Sequence, residues 1–326
     1  MSGSKLRQWT GRLVLGAILA ALSACEPADS PPVRSFERRI VSLSPAITQM
    51  IIDLNRAEEI VGVHMEDQMA GRGVTVVGDL YRIDYEKLIE VDPTDVFLQC
   101  KAEDVPSKLR QLAADHDWRV HHFKIETTVD VLDALYDVLQ TSPRPSVGDA
   151  LGATIEAPRQ RMRVQHQLAQ LQEATKGAPP VRVLMIVGGP PLTAAGKDTF
   201  LDEMLTYAGG RNAVDQEVTG YPPLDKESVL TMRPDVVLVM SPRSVGMIQG
   251  SEPTESPTPQ TASGLTQWFD GMDIPAVTEQ RLYVIDDPLA LLPSTSMTRI
   301  AAQMAKRLHP DLTDRIDEAM TSDPGS

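Results

Sequence analysis

From residue 38 onward the chain alternates two hydrophobic patterns. Short apolar runs at residues 40–43, 60–64, 95–100 and 119–125 predict strands, and segments with apolar residues three and four apart at 46–54, 85–91, 105–116 and 129–139 predict helices. Strand–helix alternation of this length implies a mostly parallel sheet covered by helices on both faces. Thr141-Ser-Pro-Arg-Pro-Ser then breaks the pattern. Residues 149–176 follow, polar and rich in Arg and Gln, with Val164, Leu168 and Leu171 on one face. That narrow stripe predicts one long amphipathic helix, stopped at Gly177-Ala-Pro-Pro.

Alternation resumes beyond the stop. Strands are expected at 181–187, 235–240 and 281–285, and helices at 199–208, 226–232, 265–271 and 295–308. Residues 251–263, rich in Ser, Thr, Pro and Glu, read as a solvated insertion. The fold class that results is α/β: two Rossmann-like lobes with mostly parallel sheets, joined by one long helix, with a cleft between them. Its divisions are a lobe over 38–146, a connecting helix over 147–178, a second lobe over 179–312 and a polar tail over 313–326.

The first 24 residues stand outside this pattern. Lys5, Arg7 and Arg12 precede a ten-residue apolar stretch from Leu13 to Leu22, too short to span a bilayer as a stable helix. It ends in Leu22-Ser23-Ala24-Cys25, small residues ahead of a cysteine, which matches the lipobox of an exported lipoprotein. Cleavage before Cys25 and lipid on its sulfur are expected, with 25–37, polar and Pro-rich, as the linker that holds the folded body off a cell membrane. The expected location is therefore exported, facing periplasm or cell exterior. A net charge of −14 over 326 residues argues against nucleic acid as a partner, since phosphate backbones attract basic patches. With Cys25 lipidated, Cys100 stands alone and no internal disulfide is expected.

The two lobes carry a weak repeat. Glu86-Lys-Leu-Ile-Glu-Val-Asp-Pro93 parallels Glu227-Ser-Val-Leu-Thr-Met-Arg-Pro234, each a short helix opened by Glu, closed by Pro and followed by an apolar strand. A Glu in a first helical turn is also an ordinary dipole choice; its duplication favours function. Together with Arg39-Ile-Val-Ser-Leu-Ser-Pro-Ala-Ile-Thr48, Ile60-Val-Gly-Val63, Val77-Gly78, the stretch from Val183 to Leu201, Tyr207-Ala-Gly-Gly-Arg-Asn-Ala213 and Gly220-Tyr-Pro-Pro-Leu-Asp-Lys-Glu227, the repeat resembles the periplasmic solute-binding proteins of ABC importers for cobalamin, iron–siderophores and haem. The resemblance runs from about residue 38 to 309.

The resemblance implies a ligand held in the inter-lobe cleft and delivered to a permease dimer, with no chemistry, no resident cofactor and a monomeric protein. It places Glu86 and Glu227 on the two lobes, where each meets permease arginines. Loops at the carboxyl ends of the strands are expected to line the cleft, as in other open α/β sheets. Ala46, His64, Glu66, Leu80, Tyr81, Pro190, Tyr221 and Asp287 are the ligand-binding candidates. Tyr221 keeps an aromatic ring where the family often has Trp, and Pro190 and Asp287 fit the cobalamin pattern. Asp79 stands where haem binders place an iron-ligating Tyr, and Leu292 stands where siderophore binders often place Arg. A corrinoid ligand is preferred on these grounds, with iron–siderophore or haem as the alternative.

Three other readings fit less well. The stretch 188–197 is not a phosphate loop: Pro191 occupies the place of its first Gly, and Asp198 follows the Lys. A metal-ion receptor needs three or four clustered ligands, and the six His residues are scattered. A purely structural lipoprotein needs neither cleft nor paired glutamates.

Overall fold

The computed structural model describes residues 38–79, 82–139, 145–188, 191–241 and 267–322. The expected signal peptide, Cys25 and the linker lie outside the described residues, as does the 251–263 insertion.

In the first lobe, strands β1 (Ile40–Ser42), β2 (Ile60–His64), β3 (Thr75–Gly78), β4 (Asp95–Gln99) and β5 (Arg119–Phe123) form one parallel sheet in the order β3-β2-β1-β4-β5. Helices α1 (Pro45–Asp53), α2 (Tyr85–Val91), α3 (Ser107–His116) and α4 (Thr128–Leu135) connect and cover them. In the second lobe β6 (Val181–Gly188) is central. Strands β9 (Val236–Ser241) and β10 (Leu282–Asp286) extend the sheet on one side, and β8 (Gly210–Asn212) and the short antiparallel β7 (Thr193–Ala194) lie on the other. Its helices are α7 (Phe200–Tyr207), α8 (Lys226–Met232), the four-residue α9 (Pro275–Thr278) and α10 (Met297–Leu308). Strands β6, β8, β9 and β10 thus repeat the connectivity of β1, β2, β4 and β5. The strands read as apolar runs rather than alternating ones because helices cover both faces of each sheet.

Three expectations are corrected. The connecting helix is two helices, α5 (Val147–Leu151) and α6 (Glu156–Thr175). Gly152, at φ 67°, caps the first in the left-handed conformation and turns the chain. Pro158 lies in the first turn of the second, where its missing N–H costs nothing. The tail expected at 313–326 forms α11 (Thr313–Thr321), which buries Ile316 and Ala319. Residues 268–271, expected within a helix, form turns.

The stripe on α6 is as expected: Val164, Leu168 and Leu171 are buried. They belong to one continuous apolar core that also holds Ile40, Ile47 and Phe97 of the first lobe and Val183, Leu201 and Ile300 of the second. Burial of each such side chain stabilises the fold by about 1.5–3 kcal/mol. Helices α1, α4, α7 and α10 face this shared core, whereas Leu88 of α2 and Val229 of α8 pack in separate outer clusters. The two lobes are therefore welded along their inner layers and expose α2 and α8 on their outer layers.

Two polar bonds add to the weld, and they match. The Thr128 N–H at the start of α4 donates to Glu203 Oε2 on α7 at 2.7 Å. The Thr295 hydroxyl, just ahead of α10, donates to Asp53 on α1. Each lobe's first helix thus offers a carboxylate to the start of the other lobe's last helix.

Candidate functional site

In a parallel sheet the crevice opens beyond the carboxyl ends of the strands, at the point where the strand order reverses. In the first lobe that point lies between β1 and β4. Ser44, beyond β1, caps α1 and donates its hydroxyl to Gln99 Oε1 at 2.8 Å, at the end of β4. Gln99 in turn donates to the Ile125 carbonyl beyond β5 at 3.0 Å. One side chain therefore ties together three strand ends. A concavity of about 350 Å³ opens there, lined by Gln99, Cys100, Lys101, Phe123, Lys124 and Glu126. Burial pushes the half-buried Cys100 thiol above its ordinary range, which keeps it protonated.

The candidates of the first lobe separate by exposure. Glu66 is exposed beyond β2. His64 is buried, and its Nδ1 accepts the Glu66 N–H at 3.2 Å, so it shapes the loop. Ala46 is fully buried, with its methyl in the protein interior and closed to a ligand. Leu80 and Tyr81 lie outside the described residues. Their neighbours Asp79 and Arg82 are fixed: the Asp79 N–H donates to the Arg82 carbonyl at 2.8 Å, and the Arg82 N–H donates to Asp79 Oδ1 at 2.9 Å. Gly78 is required here, because a Cβ would stand 2.8 Å from the Arg82 carbonyl oxygen.

Tyr221 of the second lobe is carried on a strap, residues 218–224, bonded on both sides of the ring to the segment after β6. Gly196 and Lys197 donate to the Gly220 and Val218 carbonyls at 2.7 and 3.0 Å, and Gly220 donates back to Lys197 at 2.9 Å. Beyond the ring, Ala194 donates to the Pro222 carbonyl and Leu224 to that of Leu192, at 3.0 and 2.7 Å. Gly196 permits the close approach: a Cβ there would meet the Val218 and Gly220 oxygens at 2.8 and 3.0 Å. Tyr221 is 49% exposed, yet the surrounding protein desolvates its phenol and raises its pKa. Pro190 lies outside the described residues.

Asp287, beyond β10, is buried and occupied. It accepts from the Leu289 N–H at 2.9 Å, from Arg299 of α10 at 3.0 Å and from Gln303 at 3.3 Å. It anchors α10 and is not open to a ligand. Among the described residues no cluster of three or more His, Cys, Asp or Glu is placed to hold a metal ion. No helix among them is long and apolar enough to cross a membrane.

The profile of the family described as periplasmic binding protein matches residues 40–289, and the strands of both sheets lie within that span. The chain belongs to the periplasmic binding protein family. A vitamin B12-binding protein of Photorhabdus laumondii is 22% identical over 71% of this chain and 78% of its own length. The uncharacterized ABC transporter substrate-binding lipoprotein YvrC of Bacillus subtilis is 22% identical over 86% of this chain and 82% of its own. Among solved structures, the haem-binding protein HutB of Vibrio cholerae superposes with a TM-score of 0.66 at 24% identity, covering 84% of this chain and 100% of the other. The vitamin B12-binding protein BtuF of Vibrio cholerae does so with a TM-score of 0.56 at 15% identity, covering 87% and 98%. The structural likenesses fix the two-lobed fold of this periplasmic binding protein.

Away from the cleft, the repeat seen in sequence is a repeat in structure. Asp84 caps α2 and Asp225 caps α8, each accepting the N–H three residues on. Asp92 and Arg233 end the helices in the left-handed conformation, at φ 41° and 45°. Arg39, just ahead of β1, donates to the Val91 carbonyl at 2.6 Å, and Arg182, the second residue of β6, donates to the Met232 carbonyl at 2.9 Å. The matched arginines close the two helices alike, so Glu86 and Glu227 occupy equivalent, exposed places. A groove of about 600 Å³ runs beside α8, lined in part by Arg182, Arg211 and Glu227. It runs from the amino end of β6 to the residues that follow β8.

Sequence reading missed Gln68, Gln49, Asp53 and Thr295. Gln68 donates to Gln49 Oε1 at 2.6 Å, Gln49 donates to Asp53 Oδ1 at 2.7 Å, and Asp53 accepts from Thr295. The chain of bonds runs from the loop after β2 across to the second lobe. The four-residue spacing of Gln49 and Asp53 on α1 was the available signal.

Proposed function

We propose that this protein captures a corrinoid in the inter-lobe cleft and presents it to the permease dimer of an ABC importer. Tyr221 carries the ligand reading: an aromatic side chain, half open, on a strap bonded at both sides. A large flat ligand gains most from a ring that is already immobilised, because little conformational entropy is lost on contact. The vitamin B12-binding relative supports the same ligand class. Glu66, exposed beyond β2, supplies a polar contact at a strand end. The shared core and the paired carboxylate bonds support capture with little closure, since lobe movement has to part packed apolar surface and both bonds.

Glu86 and Glu227 dock the permease, each carboxylate receiving a guanidinium in a charge-assisted pair. Cys25 bears the lipid that holds the protein at a membrane, and Cys25→Ser moves it from the membrane fraction to the soluble one.

Thermal unfolding of the mature protein with cyanocobalamin, cobinamide, haemin and a ferric hydroxamate tests the ligand. Ligand at a hundred times its dissociation constant stabilises by about 2.7 kcal/mol, a rise of about 5 °C or more in Tm. A rise with the corrinoids only is expected. A rise with haemin or the hydroxamate only transfers the cleft to an iron chelate, and no rise with any of them refutes the corrinoid reading.

A further inference from the structure

Ile89 and Leu230 occupy equivalent places in the repeat, one helical turn beyond Glu86 and Glu227. Both are exposed, 41% for Ile89 and 43% for Leu230, although each belongs to a helix whose other aliphatic residues, Leu88 and Val91 or Val229, are buried. Residues three apart on a helix share a face. Each lobe therefore presents the same two-part patch: an exposed carboxylate with an exposed aliphatic side chain beside it. Among the described residues neither Glu86 nor Glu227 has an ion pair or a side-chain hydrogen bond. Val129 and Ile155 are exposed too, each outside the repeat. Single exposure needs no explanation, but exposure at the same register of a duplicated helix, beside a duplicated free carboxylate, does.

We infer that Ile89 and Leu230 are the apolar anchors of the permease contact, and that the partner offers on each of its two halves a cation with an apolar socket one helical turn away. This rests on the docking proposed above and adds the part of it that excludes water. The charge pattern selects the occupant. A second copy of this chain brings carboxylate to carboxylate, which repels, whereas a two-fold partner with basic residues matches both lobes at once. The aliphatic residues do what the glutamates cannot. An exposed ion pair contributes little on its own; an aliphatic group seated beside it removes apolar surface from water and dries the pair.

The test uses the full lipidated chain, tagged and expressed in its own host. The amount of ABC permease, identified by mass spectrometry, that stays with it after detergent extraction is compared across variants. Ile89→Ser and Leu230→Ser are each expected to lower the retained permease about tenfold, as loss of a buried aliphatic anchor does. Ile89→Val and Leu230→Ile are expected to keep it, as is Val129→Ser, an exposed residue outside the repeat. Unchanged thermal unfolding confirms that the serine variants are folded. If Glu86→Gln/Glu227→Gln releases the permease while the serine variants hold it, the anchors are refuted and the charged docking stands. Release by only one of the two serine variants refutes the two-fold match. Indifference to all four positions refutes the docking reading and this inference with it. Dimerisation of the wild-type chain that Ile89→Ser abolishes assigns the face to self-association and overturns the proposal.

Discussion

Gly196→Ala tests whether the Tyr221 strap is held as tightly as its hydrogen bonds imply. The added Cβ meets two backbone oxygens, Val218 at 2.8 Å and Gly220 at 3.0 Å, neither of which can rotate away as a side-chain end does. Ordinary contact begins near 3.4 Å, so the strap must retreat by about half an ångström. The bonds at 2.7, 3.0 and 2.9 Å between 196–197 and 218–220 then stretch together. Forcing a methyl into a filled site costs about 1–3 kcal/mol. With a urea slope of about 3 kcal/mol/M for a chain this large, the midpoint falls by about 0.3–1 M. Displacement of the ring by the same half ångström is expected to weaken the corrinoid about tenfold, by analogy with other losses of a well-seated aromatic contact. Gly188→Ala is the control for stability, since a Cβ there meets nothing within 4 Å. Urea unfolding followed by far-UV circular dichroism, with ligand titration on the same samples, reads both effects. An unchanged midpoint in Gly196→Ala refutes the rigid strap. A lowered midpoint with unchanged ligand affinity leaves the strap rigid but removes Tyr221 from the site.

Other outcomes follow from the same reasoning. Arg39→Ala and Arg182→Ala, which uncap α2 and α8, are each expected to cost about 1 kcal/mol in urea unfolding, with Arg39→Ala the costlier because Arg39 also bonds the Asp92 carbonyl. Asp95 is buried, which alone would raise its pKa, but bonds from His121 and Thr94 and the Arg119 charge outweigh burial and hold it below 3.8. Its stabilisation is present above that value and lost as pH falls through the folded one, so acid unfolding below pH 3.8 is shallower in Asp95→Asn, itself weakened by about 3 kcal/mol at pH 7. Asp53 behaves oppositely. Burial raises it above 3.8 despite bonds from Thr295 and Gln49, so the wild type loses stability as pH rises from 3.8 through the folded value. Asp53→Asn is expected to flatten that slope in a pH series of urea midpoints.

The hydrophobic pattern contained most of the fold. Buried parallel strands must be apolar throughout and their covering helices amphipathic, so 40–43, 60–64, 85–91 and 226–232 were legible by residue type and spacing. The short strands β7 and β8 were not, because two or three residues carry no period. The break at Gly152 was hidden by an apolar stripe that fits α6 alone, and the buried face of α11 by its many charges. At the site, sequence placed Tyr221, Glu66, Glu86 and Glu227 where the structure exposes them. It could not separate these from Ala46, His64 and Asp287, since a loop position does not say whether a side chain turns inward. Sequence by itself determined two α/β lobes, a duplicated helix with its glutamate, and membership of a family, because these reside in spacing along one dimension. Only the tertiary structure decided that the lobes share one core, that a strap pins Tyr221, and that Ile89 and Leu230 stand beside the glutamates on matching faces. Burial and hydrogen bonding join residues far apart in the chain, and no local period records them.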